Sequence, residues 1–346
     1  MKRVSIAILI ISTFALALLF FYPREYQVPK IKERPGTKFW NLSTGSKIAY
    51  TFIPAKGAEK PFPVIFLQGG PGGFITERNI IDLEKLTEDG YNVYLYDQIG
   101  SGHSERLENI KEYTAARHTA DLEAIVNKIG AEKVILIGQS WGAILASLFV
   151  ANHPTKVEKL IYTGPGPLMP YNYKVAKLPA PDSLNLKKPL FTNQQAVKKV
   201  SNFRNAAVTF WAKRFLSKLA TDEEADAYQT LLNKELQKST VMDTSVLPQM
   251  EAGGGYYAQL MTVLSFRFTQ NPRPNIIGSP IPLLILKGQY DNQPWGFTKE
   301  YLDLFPNHKL VIIEGAGHSI SLEKPQQYIN EIREFLTDSE IATFVP

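Results

Sequence analysis

The chain of 346 residues has no cysteine, and it has no block rich in lysine and arginine. The absence of cysteine excludes disulfides, thiolate metal sites and a cysteine nucleophile. Basic residues outnumber acidic ones by only 38 to 33, and this small excess is spread along the chain, which argues against nucleic acid as a partner. The hydrophobic fraction of 44% and the charged fraction of 21% are typical of a folded globular protein and exclude a collagen-like or wholly disordered chain.

The amino terminus carries an uncharged, largely apolar run from Val4 to Tyr22, preceded by Lys2 and Arg3. At about 1.5 Å per residue this run comes close to spanning a hydrocarbon layer of about 30 Å. We therefore expect residues 1–36 to hold an uncleaved membrane anchor or a cleaved export signal, followed by an extended tether that contains three prolines; a buried core helix is the third alternative. The charges before the run predict a membrane-anchored or exported protein whose folded body lies outside the cytoplasm.

Beyond residue 36, short apolar runs that are typical of buried strands alternate with helical patterns. The strand-like runs are a hairpin at 39–51 and the segments 63–67, 91–96, 134–137, 159–162, 281–286 and 309–313. This alternation predicts an α/β fold with a mostly parallel sheet and helices on both faces. The segment 166–274 has only helical patterns, so we predict a helical cap over the carboxyl edge of a core formed by 37–165 and 275–346.

The pentapeptide 138–142, Gly-Gln-Ser-Trp-Gly, fits the G-x-S-x-G nucleophile elbow. A strand is predicted before it and a helix after it, which is the context that this motif requires. The glycines permit a sharp turn, and the turn exposes the Ser140 hydroxyl at the amino end of a helix, where developing negative charge is favoured. Ser140 is therefore the predicted nucleophile.

A serine hydroxyl needs a general base, and the base needs a group that orients it. Among the five histidines, His318 follows the last predicted strand in a flexible glycine-containing loop, whereas His103 lies in a loop after an earlier strand and is a competitor. Asp291 ends the strand before His318; the alternative role for this carboxylate is a helix N-cap. The chain order Ser140, Asp291, His318 is that of the α/β-hydrolase arrangement.

Acyl transfer also requires hydrogen-bond donors for the oxyanion. One is predicted to be the backbone N–H of Trp141, which follows the nucleophile. The other is predicted in the loop 68–73, where Gly70 is the natural donor because Pro71 has no N–H. A phosphate-binding loop is a poor alternative, since neither G-x-x-x-x-G-K-[ST] nor G-x-G-x-x-G is present there.

In combination these motifs resemble the proline iminopeptidases, which are serine aminopeptidases of the α/β-hydrolase fold that remove N-terminal proline. The resemblance extends from about residue 39 to 336 and depends on the following segments: 69–73 (GGPGG), 97–104 (DQIGSGHS), 138–142, the Asp291 loop and Gly317-His318. It implies Ser140, Asp291 and His318 as the catalytic residues and Gly70 and Trp141 as the oxyanion donors. It also implies that acidic side chains of the cap bind the free ammonium group of the substrate.

The sequence departs from this family at several positions. Gln68 stands where the family usually has histidine, and Ile99 stands where arginine is usual. In the cap, Trp211 is followed by Ala212 rather than by the usual glutamate.

A second family pattern, glutamate just before an aromatic pair, is approximated by Glu251 with Tyr256 and Tyr257. These three residues are therefore the predicted substrate-binding residues, with Glu251 pairing with an α-ammonium. Glu223 and Glu224 are the fallback candidates, although their segment is more simply explained as a capped helix start.

We expect a serine hydrolase, most plausibly an aminopeptidase that releases proline or another small residue from small peptides with a free N-terminus through an acyl-enzyme. The mechanism requires neither a metal nor an organic cofactor. A carboxylesterase or lactonase on the same fold is the alternative, and a non-catalytic binding module on this fold is the alternative from a different class. The sequence predicts no particular oligomeric state.

Overall fold

The computed structural model describes residues 20–337. Eight strands form one sheet in the order β1-β2-β4-β3-β5-β6-β7-β8, in which β1 and β2 pair antiparallel with their neighbours and all other pairs are parallel. The strands are β1 (Lys38–Asn41), β2 (Lys47–Ile53), β3 (Val64–Leu67), β4 (Val93–Tyr96), β5 (Val134–Gln139), β6 (Val157–Thr163), β7 (Leu283–Gly288) and β8 (His308–Ile313).

Twelve α-helices lie wholly within the described residues. Their bounds are α1 (Glu77–Glu84), α2 (Ala115–Ile129), α3 (Trp141–Asn152), α4 (Tyr173–Ala176), α5 (Asn193–Val200), α6 (Phe203–Phe215), α7 (Asp222–Leu236), α8 (Tyr256–Ser265), α9 (Arg273–Ile276), α10 (Trp295–Leu304), α11 (Ile320–Glu323) and α12 (Pro325–Thr337). The predicted α/β-hydrolase fold, with a mostly parallel sheet covered by helices on both faces, is confirmed.

Burial explains why the central strands are continuous apolar runs. All four residues of β3 and all six of β7 are buried, because helices cover both faces of the sheet. Two hydrophobic clusters lie on opposite faces: one includes α2, α3 and α10, and the other includes α1 and α12. Because β5, β6, β7 and β8 are parallel, their carboxyl ends lie at one edge of the sheet.

The segment between β6 and β7 contains α4–α9, and no strand lies in it. Its side chains join the core on one face of the sheet, so the cap and the core share one hydrophobic cluster. At the centre of this contact, the rings of Trp141 and Phe266 are stacked with centroids 5.3 Å apart. The division into a core (37–165 and 275–346) and a cap (166–274) stays a prediction.

Residues 23–36, which we call the N-terminal strap, are extended and lie against the folded body. The backbone N–H of Arg24 donates to Glu224 Oε1 at 3.0 Å, and the Arg34 guanidinium donates to both carboxylate oxygens of Asp97 at 3.3 and 2.8 Å. The Asp97 side chain is fully buried, so this ion pair fixes the strap. The strap contains no helix or strand and is bound to the folded body, and its role as a tether stays a prediction.

The localisation predicted from the sequence, membrane-anchored or exported, is corrected here. It depended on the run 4–22, of which residues 4–19 lie outside the described residues. Within residues 20–337, no helix combines the length and the apolar character needed to cross a membrane. From Phe20 onward the chain follows the cap surface, where Arg204 Nη1 donates to the Phe20 carbonyl oxygen at 2.7 Å.

Candidate active site

The predicted nucleophile lies at the turn between β5 and α3. Ser140 has φ 52° and ψ −110°, a conformation that side-chain-bearing residues rarely adopt. A Cβ on Gly138 would lie 2.6 Å from the carbonyl carbon of Gly142, and one on Gly142 would overlap the backbone oxygen of Leu67 on β3. The two glycines therefore allow α3 to start directly against the sheet with Ser140 at the apex.

This close approach makes a stability prediction. Gly142→Ala should lower the free energy of unfolding by about 3 kcal/mol, the upper end of the usual cost of overpacking, because the new methyl group meets backbone atoms that cannot move independently. Gly278→Ala is the matched control: its φ is +73° but it faces open space, so only the conformational cost of about 1–2 kcal/mol applies. Urea unfolding of both variants measures the difference, and equal losses would contradict the packing argument.

The predicted base and its orienting carboxylate lie in the loops after β8 and β7. His318 Nδ1 is hydrogen-bonded to Asp291 Oδ1 at 2.8 Å, and both side chains are buried. Burial alone would raise the pKa of Asp291, but the neighbouring Lys287 ammonium and His318 hold this pKa well below its usual range. Asp291 is therefore ionised at neutral pH, and the His318 Nδ1–H is the donor.

The structure brings these loops next to the elbow. The backbone N–H of Ser140 donates to the Thr163 carbonyl oxygen at 2.9 Å, and a Cβ on the following Gly164 would lie 2.6 Å from His318 Nδ1. The imidazole thus packs on the residue after the end of β6, which is itself bonded to the elbow. No hydrogen bond among residues 20–337 joins the Ser140 hydroxyl to His318.

The competing histidine faces another part of the molecule. The His103 backbone N–H donates to Asp97 Oδ2 at 2.9 Å, and its Nε2 is hydrogen-bonded to the Lys32 carbonyl oxygen of the N-terminal strap at 3.0 Å. His118 is buried against Thr262, and burial lowers the pKa of its imidazole to about 4. Neither ring is paired with a carboxylate in the way that His318 is.

The predicted oxyanion donors lie in positions that leave both N–H groups available. Trp141 is the first residue of α3, so its N–H has no acceptor within the helix. The Gly70 N–H donates to no acceptor in the described part of the chain, and Gly70 is exposed. Gln98, which sequence analysis did not single out, holds this loop: its Nε2 donates to the Gln68 carbonyl oxygen at 2.9 Å, and its Oε1 accepts from the Gly72 N–H at 3.0 Å.

The glycine run before α8 docks the cap onto this loop. Gly255 N–H donates to the Gly72 carbonyl oxygen at 3.1 Å, and Gly102 N–H donates to the Gly253 carbonyl oxygen at 2.7 Å. A Cβ on Gly253 would lie 2.7 Å from the Phe74 ring, so the run must lack side chains to approach so closely. Glu251 and Ala252, just before the run, line a cavity that is also lined by the N-terminal strap.

Glu251 lines a cavity of about 430 Å³, partly open to solvent, that is also lined by Gln139 and Ser319, the chain neighbours of the predicted nucleophile and base. Burial raises the pKa of the Glu251 carboxyl; Lys32 lowers it and Glu77 raises it further. Within the described residues this carboxylate makes no hydrogen bond or ion pair. It is therefore available to a cationic group in the cavity.

The structure does not bring the two predicted tyrosines to this cavity. Tyr257 is buried, and its hydroxyl donates to the Ala220 carbonyl oxygen at 2.9 Å. The hydroxyl of Tyr256, also buried, is hydrogen-bonded to Thr209 Oγ1 at 2.7 Å. Both rings pack within the cap, where their hydroxyls join its helices. The fallback Glu224 is likewise occupied, by Arg204 at 2.7 Å.

Comparisons with known proteins support the fold and the family. A family model described as the alpha/beta hydrolase fold matches residues 63–325. The chain belongs to the α/β-hydrolase fold family. The resemblance to the proline iminopeptidases is also confirmed: the enzyme of that name from Lactobacillus helveticus is 25% identical over 293 residues, which cover 83% of this chain and 93% of the relative.

Solved structures share the fold at low sequence identity. A proline iminopeptidase from Mycobacterium smegmatis superposes with a TM-score of 0.55 at 18% identity, covering 87% of this chain and 97% of that one. An esterase from Exiguobacterium antarcticum superposes with a TM-score of 0.57 at 17% identity, covering 87% and 99%. At this identity the likeness supports the fold alone, and family membership supports a hydrolase.

The loop of this hydrolase that carries His318 is also bound by the cap. Glu323 Oε2 accepts from Gly317 N–H at 2.6 Å, while Glu323 Oε1 accepts from the backbone of Met242 at 2.7 Å and of Asp243 at 2.9 Å. A carboxylate that accepts several backbone N–H groups fixes the segments that supply them. The sequence pattern did not single out Glu323, because its two partners in the cap are about 80 residues away in the chain.

The described part of this hydrolase contains no cluster of three or more histidine, aspartate or glutamate side chains that could hold a metal ion. The expectation that no metal or cofactor is needed therefore depends on the chemistry of the serine, histidine and aspartate alone. That chemistry needs a proton acceptor, an orienting carboxylate and oxyanion donors, and protein groups of all three kinds lie around the elbow.

Proposed function

We propose that this protein is a serine hydrolase that releases an N-terminal proline or another small residue from small peptides. The observation that carries the proposal is the buried His318–Asp291 pair, with 2.8 Å between Nδ1 and Oδ1, beside an elbow that presents Ser140. Binding of a free N-terminus is supported by Glu251, which lines a cavity together with the chain neighbours of Ser140 and His318. The relatives named proline iminopeptidases support the same substrate class.

In the proposed reaction the Ser140 hydroxyl oxygen attacks the carbonyl carbon of the first residue while its proton passes to His318. The resulting oxyanion accepts hydrogen bonds from the Gly70 and Trp141 N–H groups. The C–N bond then breaks, and His318 returns the proton to the leaving amine. Water, deprotonated by His318, hydrolyses the acyl-enzyme, which releases the amino acid and regenerates the serine.

The Ser140–His318 hydrogen bond needed for the first step forms, in this proposal, when substrate binds. Catalytic hydrogen bonds are often long in the free enzyme and shorten in the substrate complex. Asp291 contributes by keeping the His318 proton on Nδ1 and by stabilising the imidazolium that forms during attack.

Glu251 gives the proposal a specific test. Glu251→Gln should lower kcat/KM for proline naphthylamide by roughly 10- to 100-fold, the effect of losing a hydrogen bond to a charged group. Glu132→Gln is the control, because Glu132 is exposed just before β5, at the opposite edge of the sheet from the elbow, and its side chain makes no hydrogen bond or ion pair within residues 20–337. Steady-state kinetics compare both variants on the free-amine substrate and on a nitrophenyl ester without an amine.

The two substrates separate the outcomes. An aminopeptidase loses activity in the Glu251 variant only on the substrate that carries the ammonium group, while ester hydrolysis is unchanged. As the pH falls through the raised pKa of Glu251, the carboxyl is neutralised and KM for the free amine should rise. Equal losses on both substrates, or none on either, would contradict ammonium binding by Glu251.

A carboxylesterase is the second candidate, and one observation favours it. Ala212 is completely buried, so the position where related aminopeptidases carry a second cap carboxylate is closed by packing. An aminopeptidase would have to bind the ammonium group of its substrate with Glu251 alone, whereas a carboxylesterase needs no such carboxylate. Acetylating the amine of proline naphthylamide distinguishes the two functions: turnover should stop for the aminopeptidase, and the esterase should instead prefer short-chain nitrophenyl esters.

A further inference from the structure

Lys287 is a buried charged residue near the carboxyl end of an otherwise apolar strand. It is the fifth residue of β7, it follows Leu283–Leu286, and it is 1% exposed. A lysine this deeply buried is rare unless its ammonium is paired, because desolvation disfavours the charged form. No step of the reaction described above uses it.

The contacts of Lys287 connect it to the predicted orienting carboxylate. Its Nζ donates to Asp291 Oδ2 at 3.0 Å and to the Gln293 carbonyl oxygen at 2.9 Å. The other carboxylate oxygen, Asp291 Oδ1, accepts from His318 Nδ1 at 2.8 Å and from the Gln293 N–H at 3.0 Å. The two carboxylate oxygens of Asp291 thus accept hydrogen bonds from different donors, and Lys287 binds Oδ2, the oxygen that is not bonded to His318.

We propose that Lys287 is a positioning residue for the hydrolytic reaction. It holds Asp291 through Oδ2 so that Oδ1 faces His318, and it keeps the carboxylate ionised in a site that water does not reach. The inference rests on the proposed function, since it needs His318 to act as the base. It differs from that function in naming a residue that contacts neither substrate nor the reacting atoms.

The charges around Asp291 determine the expected pH dependence. Lys287 of β7 and His318 of the loop after β8 face the carboxylate directly, and Lys187 and Lys188 of the cap line a neighbouring cavity together with it. When the Lys287 charge is removed, the low pKa of Asp291 should rise, because burial then acts with less compensation. Removing a buried positive charge favours protonation of the groups beside it, so the acid limb of activity should move to higher pH.

The test compares Lys287→Met with Lys287→Arg. For Lys287→Met we expect kcat/KM at pH 7 to fall roughly 10- to 100-fold, less than the roughly 10⁴-fold cost of losing the carboxylate of a serine triad. Its acid limb should lie at higher pH than that of the wild type. Lys287→Arg keeps the charge, so its acid limb should stay at the wild-type pH even if its maximal rate is lower.

The position of the acid limb, measured as the rate of fluorophosphonate labelling against pH, distinguishes positioning from a structural role. A structural role would lower the whole curve without moving it, and that result, or a shift in Lys287→Arg equal to that in Lys287→Met, would overturn the proposal. If Lys287→Met does not fold, Lys287→Gln against Lys287→Arg makes the same comparison. Lys159→Met, which removes a half-buried lysine bonded to Phe335, controls for general destabilisation. Wild-type protein that takes no label would instead refute the proposed function.

Discussion

Ser140→Ala is expected to lower kcat of the proposed hydrolase by about 10⁶-fold, since removing the nucleophile of a serine triad costs about as much as removing all three residues. Residual activity of roughly 10³- to 10⁴-fold over water should remain from oxyanion stabilisation and binding. A fluorophosphonate probe should add to the wild-type protein once, as judged by intact mass, and should not add to the variant.

The variant should remain folded, because alanine at position 140 leaves the backbone contacts of the elbow in place. The N–H at this position still has the Thr163 carbonyl oxygen as its acceptor. Ser245→Ala, at an exposed serine of the cap, is the control and should label and turn over as the wild type does. Labelling of Ser140→Ala at the wild-type rate would show that the nucleophile is another residue, and absence of label from both proteins would favour a non-catalytic module.

Asp291→Asn should give the second largest effect, a loss of about 10⁴-fold in kcat at neutral pH. The amide cannot stabilise an imidazolium, and it can hold the imidazole in the wrong tautomer. The substitution also leaves the buried Lys287 ammonium without its counter-charge, which should cost about 3–5 kcal/mol of folding free energy. Kinetics and urea unfolding measure the two losses separately.

The stability loss in Asp291→Asn should depend on pH in a stated direction. The folded-state pKa of Asp291 is depressed, so its contribution to stability is present above the unfolded-state pKa and disappears as the pH falls through the folded value. The gap between wild type and variant should therefore be largest near pH 7 and should narrow below about pH 4. Asp182→Asn, at an exposed aspartate whose side chain makes no hydrogen bond or ion pair within residues 20–337, is the control, and its gap from the wild type should not change with pH. A gap that stays constant with pH would argue against an ionised, paired Asp291.

The parts of the site that sequence analysis could predict are those with short, local signatures. The glycines around Ser140 indicate a sharp turn. They are required because side chains at these positions would collide with the start of α3 and with the neighbouring strand β3. The positions of Asp291 and His318 follow from the strand pattern, because each residue comes after a predicted parallel strand and the carboxyl ends of parallel strands lie at one edge of the sheet. The strands were likewise placed correctly, because burial on both faces gives continuous apolar runs.

Other features depend on partners that are distant in the chain. Arg34 pairs with Asp97, which lies 63 residues away, so the proline-rich segment could be predicted as extended but not as bound. Tyr256 and Tyr257 follow a family-like pattern after Glu251, yet their hydroxyls bind within the cap, which no local pattern reveals. Lys287 lies one residue beyond the predicted strand 281–286, so the sequence analysis did not single it out, and only the structure shows that β7 includes it and that its partner is Asp291.

The attachment of the cap beside His318 constrains how this protein can admit a substrate. The Ser319 N–H donates to the Thr240 carbonyl oxygen at 2.7 Å, and Asn292 Nδ2 donates to the Ser239 carbonyl oxygen at 3.0 Å. The same short stretch of the cap is therefore hydrogen-bonded to both the loop that carries His318 and the loop that carries Asp291. If this stretch moved away from the core, the loops that carry His318 and Asp291 would be displaced with it. We therefore expect any opening of the cap to hinge at this stretch and to be largest at the opposite end of the cap.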